Sequence, residues 1–130
     1  MEWSENFSVG KQEIDDQHKE LFRILNDIDA VIRKEEFSYL NLANIVSELE
    51  KYVKYHFDYE ENLMYKRAYP GISEHTTAHN TFRDKLQNTY ILDIQKPVQF
   101  YYDMSDYLVK WLTEHIMQAD KRLGEYLSNS

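Results

Sequence analysis

The chain has 130 residues, a formal net charge of -8, 42% hydrophobic and 15% aromatic residues, and no cysteine. A chain of this length is expected to form one domain that hides roughly two-thirds of the surface its unfolded form exposes, and its aromatic content excludes an intrinsically disordered class. The acidic balance argues against nucleic acid and anionic membrane surfaces as partners, and the lack of cysteine removes disulfides, thiolate metal sites and cysteine nucleophiles.

The N-terminal stretch MEWSENFSVGKQEIDDQ has no apolar core of a secretory signal. No apolar run approaches the length of a membrane span. Membrane insertion is not expected, and a cytoplasmic location is the default expectation. Residues 1–11 read as an irregular arm, with Trp3, Phe7 and Val9 as its anchors on the body.

A first helix is expected over about residues 13–34. Ile14, Leu21, Leu25, Ile28 and Ile32 recur at helical spacing, with Phe22 and Ile24 beside them and His18 on the same stripe. A second should span about 39–66, with Leu42, Ile45, Val46, Leu49, Val53, His56, Glu60, Leu63 and Met64 inward, broken by Tyr69-Pro70-Gly71. The third should span about 73–91, with Ser73 as N-cap and His75, His79, Phe82, Leu86 and Tyr90 on its inner stripe. The fourth should span about 97–123, with Pro97 in its first turn and Gly124 as its stop. Phe100, Met104, Tyr107, Leu108, Trp111, His115 and Ala119 form its stripe. Four long amphipathic helices with short connections imply an all-α fold, an antiparallel up-down-up-down four-helix bundle behind the irregular arm.

All five histidines fall into one pattern with two carboxylates: His18, then H56-F-D-Y-E60, H75-T-T-A-H79 and H115-I-M-Q-A-D120. Residues four apart on a helix differ by only about 40° in direction. His56 with Glu60, and His75 with His79, therefore each form a pair aimed the same way. Neutral imidazoles suit iron, zinc, copper and nickel. Seven ligands on four segments are too many for one ion and suit two, with the carboxylates as natural bridges.

The spacing of His115 and Asp120 is different. Five residues correspond to about 140° on a regular helix, so both can face one metal pair only through a π-type turn or a helix end between Ile116 and Asp120.

These motifs, with His18 in the context Q-H-K-x-L-F, the opening W-S-x-x-F-S-V-G and W-L-T-E-H-I before the last pair, resemble the hemerythrin family over nearly the whole chain, most of all its short bacterial members. The resemblance implies reversible O2 binding at a non-haem di-iron centre, for oxygen transport, storage or delivery rather than catalysis. One iron would be held by His75, His79 and His115, and the other by His18 and His56. Glu60 and Asp120 would bridge them with an oxo or hydroxo group. The two-histidine iron would keep an open position for O2, beside an apolar pocket formed by Leu21, Phe57, Trp111, Leu112 and Ile116.

The residue types agree with a carrier. Oxygen-activating di-iron bundles typically use E-x-x-H pairs. Here the residues three before the histidines are Asp15, Val53, Ile72, Thr76 and Leu112. Five neutral and two anionic ligands leave the cluster comparatively positive, which disfavours high-valent iron. The competing readings are a di-iron enzyme acting on peroxide or nitric oxide, an O2- or iron-responsive interaction module, and a di-zinc or structural site. A protein that receives O2 is a further candidate partner, and the sequence leaves the oligomeric state open. Asp15, Asp16 and Asp58 read as solvated, and Glu61 and Glu114 as surface groups or acceptors behind ligand histidines. Tyr52, Tyr55 and Tyr59 read as a surface stripe or subunit contact.

Overall fold

A computed structural model describes residues 1–92 and 97–129, with side chains for 1–88 and 98–129. After a short 3-10 turn at Glu5–Phe7 come α1 (Gln12–Lys34), α2 (Tyr39–Lys66), α3 (Ile72–Leu92) and α4 (Pro97–His115). A π turn at Ile116–Asp120 then leads into α5 (Lys121–Ser128). There is no strand among the described residues. α1 packs on α2 and α4, and α3 packs on the same two, so four helices close a bundle. The connections after α1 and α2 are short, which sets consecutive helices antiparallel. No described helix is long and apolar enough to cross a membrane.

Local chemistry explains the boundaries. Ser38 caps α2, its side chain accepting from Asn41 N–H at 3.0 Å, an interaction that contributes about 1 kcal/mol. α1 and α2 both end in a left-handed residue without using glycine: Glu35 has φ 54° and Ala68 has φ 52°. At each end the next N–H reaches back to an otherwise orphaned carbonyl, Glu36 to Val31 at 3.1 Å and Tyr69 to Met64 at 2.9 Å. Tyr126 fixes the second of these turns by donating to the Arg67 carbonyl at 2.8 Å. The third helix starts one residue before the expected cap. The Gly71 carbonyl accepts from His75 N–H, so Ser73 lies in the first turn and does not cap it.

The core runs along the bundle axis. Ile24, Leu25, Ile28, Leu42, Val46, Leu49, Phe100 and Met104 are buried, as are Met64, Ile116 and Leu123 further along. Tyr101, off the expected stripe of α4, is also buried, and its hydroxyl donates to the Ser38 carbonyl at 3.3 Å. Tyr52 and Tyr59 are half-buried against the core, and only Tyr55 of that set is exposed. The expected inner position of Tyr90 lies outside the described side chains.

Two sequence expectations are corrected here. Gly124 does not stop the last helix, which continues to Ser128. A Cβ at Gly124 would come 1.9 Å from the Val9 carbonyl oxygen, so glycine is there to admit the arm. Asp15 is not solvated: its carboxylate accepts from Ser8 Oγ at 2.6 Å and Val9 N–H at 2.9 Å, tying the arm to α1. Asp16 and Asp58 are exposed, as expected.

Candidate metal centre

Each helix of the bundle brings part of one buried cluster. α1 carries His18, α2 carries His56 and Glu60, α3 carries His75 and His79, and α4 with its π turn carries His115 and Asp120. All seven are buried, with His18, Glu60, His79 and Asp120 at 0% exposure. Their ligand atoms form two overlapping groups, each with all atoms within 4.8 Å of one another. One group is His75, His79 and His115 with both carboxylates, and the other is His18 and His56 with the same carboxylates.

The carboxylates are split between the groups. Glu60 Oε1 lies 3.1 Å from His79 Nε2 and 3.4 Å from His75 Nε2. Its Oε2 lies 3.6 Å from His56 Nε2 and 3.9 Å from His18 Nε2. Asp120 Oδ1 lies 3.0 Å from His75 Nε2 and 3.2 Å from His115 Nε2, while Oδ2 lies 3.0 Å from His18 Nε2. Each carboxylate thus presents one oxygen to each histidine set.

These contacts are short, yet they lack hydrogen-bond geometry. Both oxygens of Glu60 and of Asp120, and Nε2 of His18, His75, His79 and His115, are buried with no hydrogen-bond partner. Lone pairs facing lone pairs in a dry interior are costly unless a proton or a cation stands between them. A pair of divalent cations satisfies all of these atoms together, so the residues fit the group that the sequence implies.

Without metal, protons do part of that work. His75 is pushed down by burial but raised to about 9 by Asp120 and Glu60. Burial and Asp120 push Glu60 up, but His56, His75 and His79 prevail and hold it at about 2. For Asp120, burial is overcome by His115, His18 and His75, and its carboxyl lies well below its ordinary value. Burial lowers His56 to about 4, so it is neutral and ready to ligate.

The π turn solves the spacing problem at its expected place. Its wider winding brings Asp120 back to the face of His115. Two of the histidines are oriented from behind. Gln17 Oε1 accepts from His56 Nδ1 at 2.7 Å, and Glu61 Oε2 accepts from His79 Nδ1 at 2.8 Å. With Nδ1 protonated, Nε2 is left bare toward the cluster. Glu61 is one of the acceptors expected from sequence. Glu114 is exposed, on the rim of a surface cleft. Gln17 escaped notice because its partner lies 39 residues away, and no local pattern marks an amide for that use.

Aromatic rings pack the histidines from the side. Phe57 stacks on His79 with centroids 3.8 Å apart and planes 3° from parallel. Trp111 stacks on His115 at 4.4 Å and 13°. Leu21, Phe57, Trp111 and Leu112 line a small apolar cavity together with Leu25, Leu49, Val53, Phe82 and Leu108. It offers about 20 Å³ to the centre of a water-sized molecule, enough for one small guest. Ile116 departs from the expected set: it is fully buried in the π turn and does not line this cavity. On the other side of Trp111, a surface cleft of about 460 Å³ reaches His75 and His115. Solvent therefore approaches the three-histidine side, whereas His18 and His56 are sealed at 0% and 1% exposure.

Residues 9–127 match the family described as Hemerythrin HHE cation binding domain. The chain is 30% identical over 122 residues to a bacteriohemerythrin of Clostridium acetobutylicum, covering 92% of this chain and 95% of the relative. It is 32% identical over 120 residues to a myohemerythrin of Sipunculus nudus, covering 91% and 86%. It is also 30% identical over 121 residues to a hemerythrin-like protein of Naegleria gruberi, covering 92% and 87%. A family match across nearly the whole length, on a four-helix bundle with this buried cluster, places the chain plainly: it belongs to the hemerythrin family.

Proposed function

We propose that the chain binds O2 reversibly at a pair of non-haem iron ions, as an oxygen carrier, store or delivery protein rather than a catalyst. His75, His79 and His115 would hold one iron and His18 and His56 the other, with Glu60 and Asp120 shared between the two. The supporting observation is the split of each carboxylate, one oxygen toward each histidine set. The carboxylates are shared evenly, so the two positions differ in histidine number, three against two, and the two-histidine position is the one short of a protein ligand.

When bound, a ferrous pair supplies the two electrons with which O2 is held and released. The chain supplies the rest. Gln17 and Glu61 hold the imidazoles of His56 and His79 in the tautomer that ligates. Leu21, Phe57, Trp111 and Leu112 keep the adjoining cavity free of water, which protects the bound state from protonation.

The test is an absorption spectrum of the iron-loaded protein, reduced and then exposed to O2. A visible charge-transfer band that appears with O2 and vanishes on degassing supports the carrier. A band lost irreversibly, with turnover of added peroxide or nitric oxide, overturns it in favour of an enzyme.

A further inference from the structure

Among the described residues, His56 and His79 are the two cluster histidines whose outer ring nitrogen is held by a side chain, and the holders differ in charge. Behind His56 stands the neutral amide of Gln17. Behind His79 stands the carboxylate of Glu61, which is paired in turn with the Arg83 guanidinium at 3.0 Å. Asp58 shares that guanidinium at 3.6 Å. Nδ1 of His18 and of His75 is buried without a partner.

A carboxylate that accepts an imidazole N–H makes the opposite nitrogen a stronger donor, and a neutral amide does so much less. The two halves of the cluster are therefore unequal in electron donation as well as in ligand number. The orientation of His79 has a second support. Phe57 is stacked flat on its ring, and the Arg83 guanidinium carbon lies 5.1 Å from the centre of that same Phe57 ring. This stacking should hold His79 in place when the charge behind it is changed.

We propose that Glu61 is a positioning residue that sets the redox asymmetry of the pair, making the three-histidine position the easier of the two to oxidise, with Arg83 limiting the effect. This rests on the di-iron reading above. The carboxylate stabilises the ferric state of the ion held by His79, and the guanidinium withdraws part of that stabilisation. Oxidation at this position removes one electron, which passes to the oxidant used in the titration.

The signs of two substitutions separate this role from a structural one. Glu61→Gln keeps an acceptor oxygen and removes the charge, so the midpoint potential of the first one-electron oxidation rises. Arg83→Gln leaves the carboxylate unneutralised, so the potential falls. The expected size for Glu61→Gln is roughly tenfold in the oxidised-to-reduced ratio at fixed potential, of the same order as the smaller effects of such partners on metal affinity. That is about 59 mV for one electron.

The experiment is a mediated redox titration of the full chain loaded anaerobically with ferrous iron, with iron content measured alongside. Mössbauer spectra should show one iron altered and the other unchanged in Glu61→Gln. A rise in Glu61→Gln together with a fall in Arg83→Gln upholds the proposal, and the reverse pair of signs overturns it. Shifts of the same sign, or none in variants that retain two irons per chain, overturn it while leaving the di-iron reading intact. If Glu61→Gln loses iron, Arg83→Gln decides alone: a fall upholds the role, and a rise or no change overturns it. A wild-type chain that never takes up two irons removes the di-iron reading and this inference together.

Discussion

Gly124 lies directly against the backbone carbonyl of Val9, so close that a Cβ would stand 1.9 Å from the oxygen. No side-chain rearrangement relieves that contact, because the atom it meets is backbone. Gly124→Ala must therefore push the arm off α5. Overpacking of this kind costs about 1–3 kcal/mol, and the melting temperature should fall by roughly 4 °C for each kcal/mol lost in a chain of this length. A thermal melt of the metal-free protein checks it, and an unchanged midpoint would show that the arm is not held there.

His79→Ala removes a proposed ligand from the three-histidine set and takes away the His79 contacts of Glu60 Oε1 and of the Glu61 carboxylate. Iron content should fall well below two per chain after anaerobic loading and desalting. Retention of two irons would remove His79 from the ligand set.

The metal-free and loaded proteins should differ in their response to pH. His75 is raised from 6.5 to about 9, so its contribution is complete below about 6.5 and is lost as pH rises through about 9. Glu60 is depressed from 4.5 to about 2, so its contribution is present above about 4.5 and is lost as pH falls through about 2. From these two groups, the metal-free protein should be most stable between those windows and should weaken toward alkaline pH. Iron displaces the His75 proton, so loading near neutral pH should release protons and abolish the alkaline decline. Melts across the range, with proton release followed in weak buffer, test both statements.

Leu112→Ala enlarges the apolar cavity beside the cluster. A large-to-small change in such a core costs about 2–5 kcal/mol and loosens the packing that shields the cluster from solvent. The reduced, oxygenated protein should then lose its visible band several times faster than the parent, while its iron content stays at two per chain. Equal decay rates would show that dryness of this cavity does not protect the site.

The ligand set is comparatively positive, so the reduced protein with O2 should not hydroxylate added hydrocarbon substrates. Rapid product formation by chromatography would contradict that reading.

The residues that meet in the buried cluster and the helices that carry them were readable because both depend on local spacing. Four-residue intervals put His56 with Glu60 and His75 with His79, and a five-residue interval demanded the π turn found at Ile116–Asp120. Contacts that join distant segments were not readable. Gln17 meets His56 across 39 residues, and Tyr101 reaches Ser38 across 63. Asp15 looked like one more surface carboxylate until the arm folded back on it. Gly124 had the local signature of a helix stop, but its use is set by Val9, more than a hundred residues earlier.

The π turn also governs the phase of the helix beyond it. One extra residue in the winding rotates the rest of the chain by about 100°. Leu123 and Leu127 point into the core, Gly124 faces the arm and Tyr126 closes the turn after α2 in that rotated phase. Asp120, buried in the cluster at the end of the π turn, therefore couples the cluster to the terminus. Emptying the cluster should loosen the α5 contacts with the arm and with Arg67 before it disturbs the apolar end of the bundle, and hydrogen exchange at those amides would register it.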